Sequence, residues 1–450
     1  MGREESKFVT SNGEILNLRD NSVKLLIPSM GDTNSEMFAA ALRSLGFNCE
    51  ALPPSNPETV KLGRSVASGK ECLPVILLAG ALLEYINKNK NNQENIALFN
   101  VQGAGNCRLG QYPVFLNHVI KSKKLLNVAQ ATLQNEDGFA GFGQEFAKRG
   151  IQAIIIGDVL DDIRSAILAN SVNPADGEHV FHIEFERLKL AMEYEPDAIY
   201  DALDYFAHNI RRKIPAKRNI NNSNYIALLG EIFVRRDLFA HKWLNKYFAE
   251  KGFILKIAYI SEWILYVDYL IKHNYLEPEK SVKKKLEREF RSYFMRITER
   301  KIKKILEKTG YYKYTKTDIK KILMHSRHII PLEFKGEPGL TLGTALSESF
   351  EKYCGIINLG PFGCMPTRFT EAVTVPEMNL LNKTDIKHLS ELEYKFNDSY
   401  NGIANIPFLT LEVDGNALPQ VIEAKLETFL LQAQRVADLI KNNKVSIQNS

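Results

Sequence analysis

Short apolar runs that end in turn residues, each followed by a stretch of helical spacing, recur along this chain. That alternation constrains the fold more than any other feature. Lys24-Leu25-Leu26-Ile27-Pro28 reads as a buried strand closed by Ser29-Met30-Gly31-Asp32. Asn34 to Leu45 has the spacing of a helix, with Gly46 placed as its C-cap. Phe47 to Leu52 reads as the next strand, Glu71 to Asn87 as a helix, Ile96 to Val101 as a strand and Gln111 to Ile120 as a helix. Ile151 to Ile156 then predicts a strand and Val159 to Ala169 a helix. Such a pattern predicts an α/β fold of Rossmann-like parallel-sheet units.

The order restarts after a break. Residues 173–218 read as a charged helical connector, ending in Ile214-Pro215-Ala216-Lys217-Arg218-Asn219 and an Asn-rich stretch. Tyr225 to Leu229 then predicts a strand, Phe239 to Glu250 a helix and Phe253 to Ile260 a strand. Glu277 to Met324, dense in Lys, Arg and Glu, predicts a solvated helical hairpin inserted at about 277–330. Cys354 to Leu359 reads as a strand of a third unit and Phe408 to Val413 as another strand. Leu418 to Ile440 reads as a long closing helix before a frayed polar tail. The expected division is 22–172 for an N-terminal α/β unit, 173–218 for the connector and 219–450 for the C-terminal α/β part.

Charge excludes little. The net formal charge is +5, from 58 basic and 53 acidic residues, too mild to argue for a nucleic-acid partner. Met1 to Asn21 is polar and lacks the apolar core of a secretory signal. No run approaches the ~20 apolar residues of a membrane helix, so no membrane partner and a cytoplasmic location are expected. Five cysteines in 450 residues do not make a disulfide scaffold.

Four of those cysteines occupy unusual positions. Cys72 lies in Gly69-Lys70-Glu71-Cys72-Leu73-Pro74, at a helix start. Cys107 lies in Gly105-Asn106-Cys107-Arg108-Leu109-Gly110, between strand and helix. Cys354 opens an apolar strand, and Cys364 sits in the turn Gly360-Pro361-Phe362-Gly363-Cys364-Met365-Pro366. Strand-to-helix turns of a parallel sheet open at one edge, so such loops can converge. A helix N-terminus is expected to lower a thiol's pKa and favour the thiolate that iron needs. No C-x-x-C pair is present, and on spacing alone four buried structural thiols remain an equal alternative. Cys49, inside a strand, reads as core.

Taken in order, these cysteine motifs, together with Gly230-Glu231-Ile232-Phe233-Val234-Arg235 and Glu412-Val413-Asp414-Gly415-Asn416, resemble the acyl-CoA dehydratase activase-related family. The resemblance runs from about Lys24 to Val436. It is similar to the C-terminal region of large fused CoA-enzyme activases, and more distantly to 2-hydroxyacyl-CoA dehydratase subunits and double-cubane cluster proteins. It implies an oxygen-sensitive iron–sulfur protein with Cys72, Cys107, Cys354 and Cys364 as ligands, a [4Fe–4S] cluster being favoured over a larger assembly. It also implies low-potential electrons from an ATP-hydrolysing activase of actin-like fold, an acyl-CoA or other small substrate, and a homodimer. The sequence carries no actin-like ATPase half, so ATP hydrolysis is expected from a partner. Gly63 to Glu71 is a poor P-loop, one residue too long and with Glu71 where Ser or Thr should stand.

Glu71, Arg108 and Glu231 are the candidate catalytic or cluster-flanking polar groups, with salt bridges or caps as their ordinary alternative. Arg235 is expected in the same cleft as Glu231, and Asp414 as a turn former. His325, His328, His182 and Glu184 are expected as exposed helix residues, and the lysines from 280 to 304 as a solvated face. Two further readings stay open: a non-redox scaffold that binds an acyl-CoA or an activase, and a tetrahedral zinc site on the same four cysteines.

Overall fold

A computed structural model describes residues 7–89, 94–103, 107–134, 143–242, 244–276, 282–348, 352–378, 406–416 and 420–448. Gly105 and Asn106 of the Cys107 motif, the starts of the expected insertion (Glu277) and closing helix (Leu418), and the last two residues lie outside them.

A short antiparallel hairpin, β1 (Lys7–Val9) and β2 (Ile15–Asn17), precedes the first sheet. That sheet is built from β3 (Val23–Ile27), α1 (Asp32–Arg43), β4 (Cys49–Ala51), α2 (Pro57–Arg64), α3 (Leu73–Lys88), β5 (Asn95–Gln102), α4 (Tyr112–Ser122) and β6 (Val128–Gln134). Its strands are all parallel, in the order β4-β3-β5-β6. Three helices follow: α5 (Gln144–Asn170), α6 (Pro174–Tyr194) and α7 (Ile199–Lys213). The second sheet takes β7 (Asn224–Gly230), α8 (Leu244–Glu250) and β8 (Phe253–Ile257). A helical insertion then runs through α9 (Ile260–Lys272), α10 (Val282–Glu307), α11 (Ile319–Ser326) and α12 (Glu337–Glu348). The chain returns to that sheet as β9 (Tyr353–Pro361), α13 (Met365–Glu377) and β10 (Phe408–Val413), and ends in the helix Gln420–Gln448. This sheet is parallel too, in the order β10-β9-β7-β8.

Numbered within its own sheet, each unit therefore has the strand order 2-1-3-4. The α/β class is as the sequence predicts, but β9 and β10 form no third unit. They complete the second sheet, with β9 between β10 and β7.

Three element readings are corrected. Ile151 to Ile156 is not a strand but the middle of α5. This helix is buried on nearly every side, against α1 on one face and α8 and β8 on another, so its apolar residues do not show a one-sided helical stripe. The edge strand β6, Val-Ala-Gln-Ala-Thr-Leu-Gln, was not anticipated because its alternation is built from alanine and weakly apolar residues. The expected helix from Phe239 starts only at Leu244, after turns held by the Asp237 carboxylate, which accepts from Ala240 N (2.8 Å) and Ser55 N (3.1 Å).

The insertion is not a solvated hairpin either. Helix α10 buries Met295, Ile302 and Leu306 against α5 and α7, and on another side even Lys303 is buried, against Thr315 and Thr317. No helix among the described residues is long and apolar enough to cross a membrane.

Candidate functional site

The carboxyl ends of both sheets open on one cleft of about 240 Å³. Met30 follows β3, Val101 and Gly103 end β5, Glu231 follows β7, Ile260 follows β8, and Met365 comes after β9. In each sheet the first and third strands are neighbours whose connections leave on opposite sides, the place where parallel α/β sheets hold ligands. The walls are mostly apolar, with Phe38, Phe99, Phe146, Trp263 and Phe334 among them. Asn34 is buried on this wall, and its Oδ1 has no partner among the described residues.

Cys107 lines this cleft, and the loops that carry Cys72 and Cys364 are tied to its segment. Each of the three cysteines is the N-cap of a helix: Cys72 of α3, Cys107 of a 3-10 turn (Arg108–Gln111), and Cys364 of α13. The local cause is legible in Cys72-Leu73-Pro74 and Cys364-Met365-Pro366. Proline in the first turn sets helical φ without losing a needed N–H, so the preceding cysteine stays extended at the cap. Arg108 ties the loops together. Its guanidinium donates to Lys70 O (2.7 Å) in the Cys72 loop and to Gly363 O (3.2 Å) in the Cys364 turn. The Cys72 sulfur lies 2.7 Å from the Tyr112 hydroxyl, and Leu109 N approaches the Cys107 sulfur at 3.5 Å.

All three thiols feel the charge of Glu231, Cys107 also that of Cys364, and Tyr112 that of both Cys72 and Cys107. The expected lowering of their pKa does not occur in the metal-free protein. Desolvation outweighs the helix termini, raising Cys72 and pushing Cys107 up to about 12 and Cys364 up to about 11. Cys107 lies at the exposed lip of the cleft, yet its sulfur is crowded enough to share in this effect.

Cys354 is not part of the group. It stands at the start of β9, whereas the Cys364 turn follows the end of that strand. From Cys354 to Pro361 the chain is extended, a span on the order of 20 Å at ~3.3 Å per residue. Cys354 is packed in the core beneath the closing helix, near Phe429. The four-cysteine set, and with it a zinc site on all four, is corrected to three. No three His, Cys, Asp or Glu side chains among the described residues stand close enough to surround a single ion.

Glu231 is held by backbone. Gly230, at φ +101°, passes so close to β9 that a Cβ there would lie 2.1 Å from Leu359 O. Past this crossing the Glu231 carboxylate accepts from Phe233 N (3.0 Å) and Val234 N (2.9 Å). Desolvation raises its pKa above the ordinary carboxylate value. Across the cleft wall stands Glu337, which sequence reasoning missed although its Gly336-Glu337-Pro338 setting marks a helix start. Desolvation pushes it up to about 8, against the pull of Arg235 at 3.2 Å and with Glu231 adding to the rise. This rise favours a proton on Glu337 beside the cleft.

The other candidates resolve as structure. Glu71 accepts from Ser68 N, Gly69 N and Lys70 N, which hold it below its ordinary pKa although burial would raise it; it fixes the turn before Cys72. The P-loop-like stretch begins in the last turn of α2, where Gly63 lets α2 lie directly on Ile76 of α3. Asp414 caps its own turn through Asn416 N (3.0 Å), as expected. His325 accompanies Lys321 O in its own helix, and His328 is exposed. Glu184, expected on the surface, is buried and holds Lys213 (2.7 Å) and Asn209 (3.0 Å). Cys49 is core as expected, with burial pushing its thiol up to about 12.

Neither a protein-family model nor a curated protein matches this chain.

Proposed function

We propose that Cys72, Cys107 and Cys364 hold an iron–sulfur cluster, favoured as [4Fe–4S], and that the chain is a reductase or electron-transfer component of the 2-hydroxyacyl-CoA dehydratase kind. The observation that supports this reading is that three helix-capping cysteines stand on three distant loops tied together by Arg108, with Cys107 lining an apolar cleft. A four-iron cluster is wider than one ion, so thiols too far apart for zinc still suit it. Such a cluster supplies one-electron chemistry at low potential. Cys72, Cys107 and Cys364 would hold the cluster, and Cys354, at the far end of β9, would not.

The residues around the thiols divide the remaining work. Tyr112 donates its hydroxyl to the Cys72 thiolate, which favours that ion in a desolvated place. Arg108 places positive charge beside an anionic centre. The apolar walls exclude water and suit an acyl chain or similarly apolar body, with Asn34 available to a polar group on it. Glu337 holds a proton that a reduced substrate can take up. Electrons are proposed to come from a separate ATP-hydrolysing activase of actin-like fold, in the reducing cytoplasm.

Anaerobic purification with iron and acid-labile sulfide analysis tests this. The expected result is iron and sulfide in about equal amounts with broad visible absorption. Cys72→Ser, Cys107→Ser and Cys364→Ser should each lose most of the iron, while Cys354→Ala keeps it. A colourless protein with one zinc, or a Cys354→Ala protein as iron-poor as the other three, sinks the proposal.

A further inference from the structure

A second cavity, of about 270 Å³, lies between one face of the second sheet and the helical insertion. It shares no lining residue with the cysteine cleft. Five lysines reach it: Lys256, Lys303, Lys316, Lys321 and Lys352. Glu262 and Asp318 are the carboxylates on its wall, and Asp162 and Glu299 hold Lys256 and Lys303 from behind. Lys256 sits within β8, Phe-Ile-Leu-Lys-Ile, the edge strand of this sheet, and lines the cavity.

The two inner lysines differ. Lys303 is 1% exposed and saturated: its ammonium donates to Glu299, to Thr315 O (2.9 Å) and to Thr317 Oγ1 (2.9 Å). It supplies fixed charge and anchors the loop that forms one wall. Among the described residues Lys256 has one hydrogen-bond acceptor, Asp162, and the Tyr259 ring 3.6 Å from its nitrogen. Two of its three N–H donors are therefore left for something in the cavity. Burial, opposed by Asp162, brings Lys256 down to about 8, so its charge is under-compensated where it stands.

An independent observation points the same way. Thr344 and Ser347 lie three residues apart on one face of α12, both more than nine-tenths buried, and both line this cavity. Neither hydroxyl has a partner among the described residues. Buried hydroxyls without partners are costly, and these two share the cavity wall with Lys256. Water would satisfy the hydroxyls but would not offset the one charge by which, among the described residues, the five lysines outnumber the four carboxylates named above. A tetrahedral anion does both, because its oxygens accept from ammonium and hydroxyl at once. The volume exceeds that of a bare ion, which leaves room for a small organic body.

We propose that this cavity binds the phosphoryl group of a compact phosphate monoester, with Lys256, Thr344 and Ser347 as direct donors and Lys303 as fixed positive charge.

Titration calorimetry of the full chain at constant ionic strength and pH 7 tests it, with glycerol 3-phosphate as probe and glycerol as control. Saturable binding of one glycerol 3-phosphate per chain, with no heat from glycerol, is expected. Thr344→Val and Ser347→Ala are close to isosteric and should each weaken it by about tenfold. Lys256→Gln should weaken it further, and its circular dichroism melt shows whether it folds. Lys123→Gln, an exposed position at the end of α4, should bind as wild type. Inorganic phosphate that competes with glycerol 3-phosphate, and loses affinity in the same variants, supports recognition of the phosphoryl group. A Thr344→Val/Ser347→Ala double variant that binds normally overturns the proposal. So does binding that vanishes with modest salt in every variant alike, or binding of ADP that glycerol 3-phosphate cannot displace.

Discussion

His241 is fully buried, and neither ring nitrogen has a partner among the described residues. Burial, reinforced by Arg236 and Arg164, lowers its pKa to about 4. The unfolded chain takes up a proton near pH 6.5 that the folded chain refuses until about pH 4. Stability from this group is thus complete above the unfolded value and is lost as pH falls, by at most about 1.4 kcal/mol per unit. Urea titrations at pH 7, 6 and 5 should show a steeper acid loss for wild type than for His241→Leu. At Gly230 the prediction is steric: Gly230→Ala meets both a positive φ and the Leu359 carbonyl, and should cost about 3 kcal/mol or more in the same assay. At this scale the sequence was informative where chemistry and local grammar coincide. Cysteine followed by x-Pro marked two helix caps correctly. Cys354 carried no such grammar, only an apolar strand after it, and it proved to be core. Glu337 was missed because its partners, Arg235 and Glu231, are about a hundred residues away in sequence, a separation that no local pattern encodes.

Helix α5 illustrates why elements were harder to read than the fold class. An amphipathic stripe reveals a helix only when one side meets water, and α5 is covered by both halves of the molecule. What fixes α5 in place is polar. Arg236, after β7, donates to Asp158 (2.8 Å) and Asp161 (2.7 Å) of α5 and to Ala258 O (2.9 Å). The Asp158 carboxylate in turn accepts from Ile260 N and Ser261 N at the start of α9. Arg236→Met would leave two buried carboxylates without their cation. It should destabilise the protein by about 3–5 kcal/mol, read as a lower denaturation midpoint. Asp158→Asn in the Arg236→Met background should recover part of that loss, because it removes one uncompensated charge.

Across the whole molecule, two sheets of identical strand order face each other with their carboxyl ends, and the cleft is the space between them. The alternation of strand and helix revealed the class, and the restart after residue 218 revealed that the pattern occurs twice. The return of β9 and β10 into the second sheet was not legible, because roughly ninety residues of insertion separate β8 from β9 and strand pairing over such a gap leaves no local mark. The three capping thiols come from positions 72, 107 and 364, two from one sheet's loops and one from the other's. A ribosome has to release the second half of the polypeptide, and that half has to dock, before these loops are tied together. A chain stalled before residue 364 therefore presents only two of the three, and any ligand that needs all three has to wait for the folded protein.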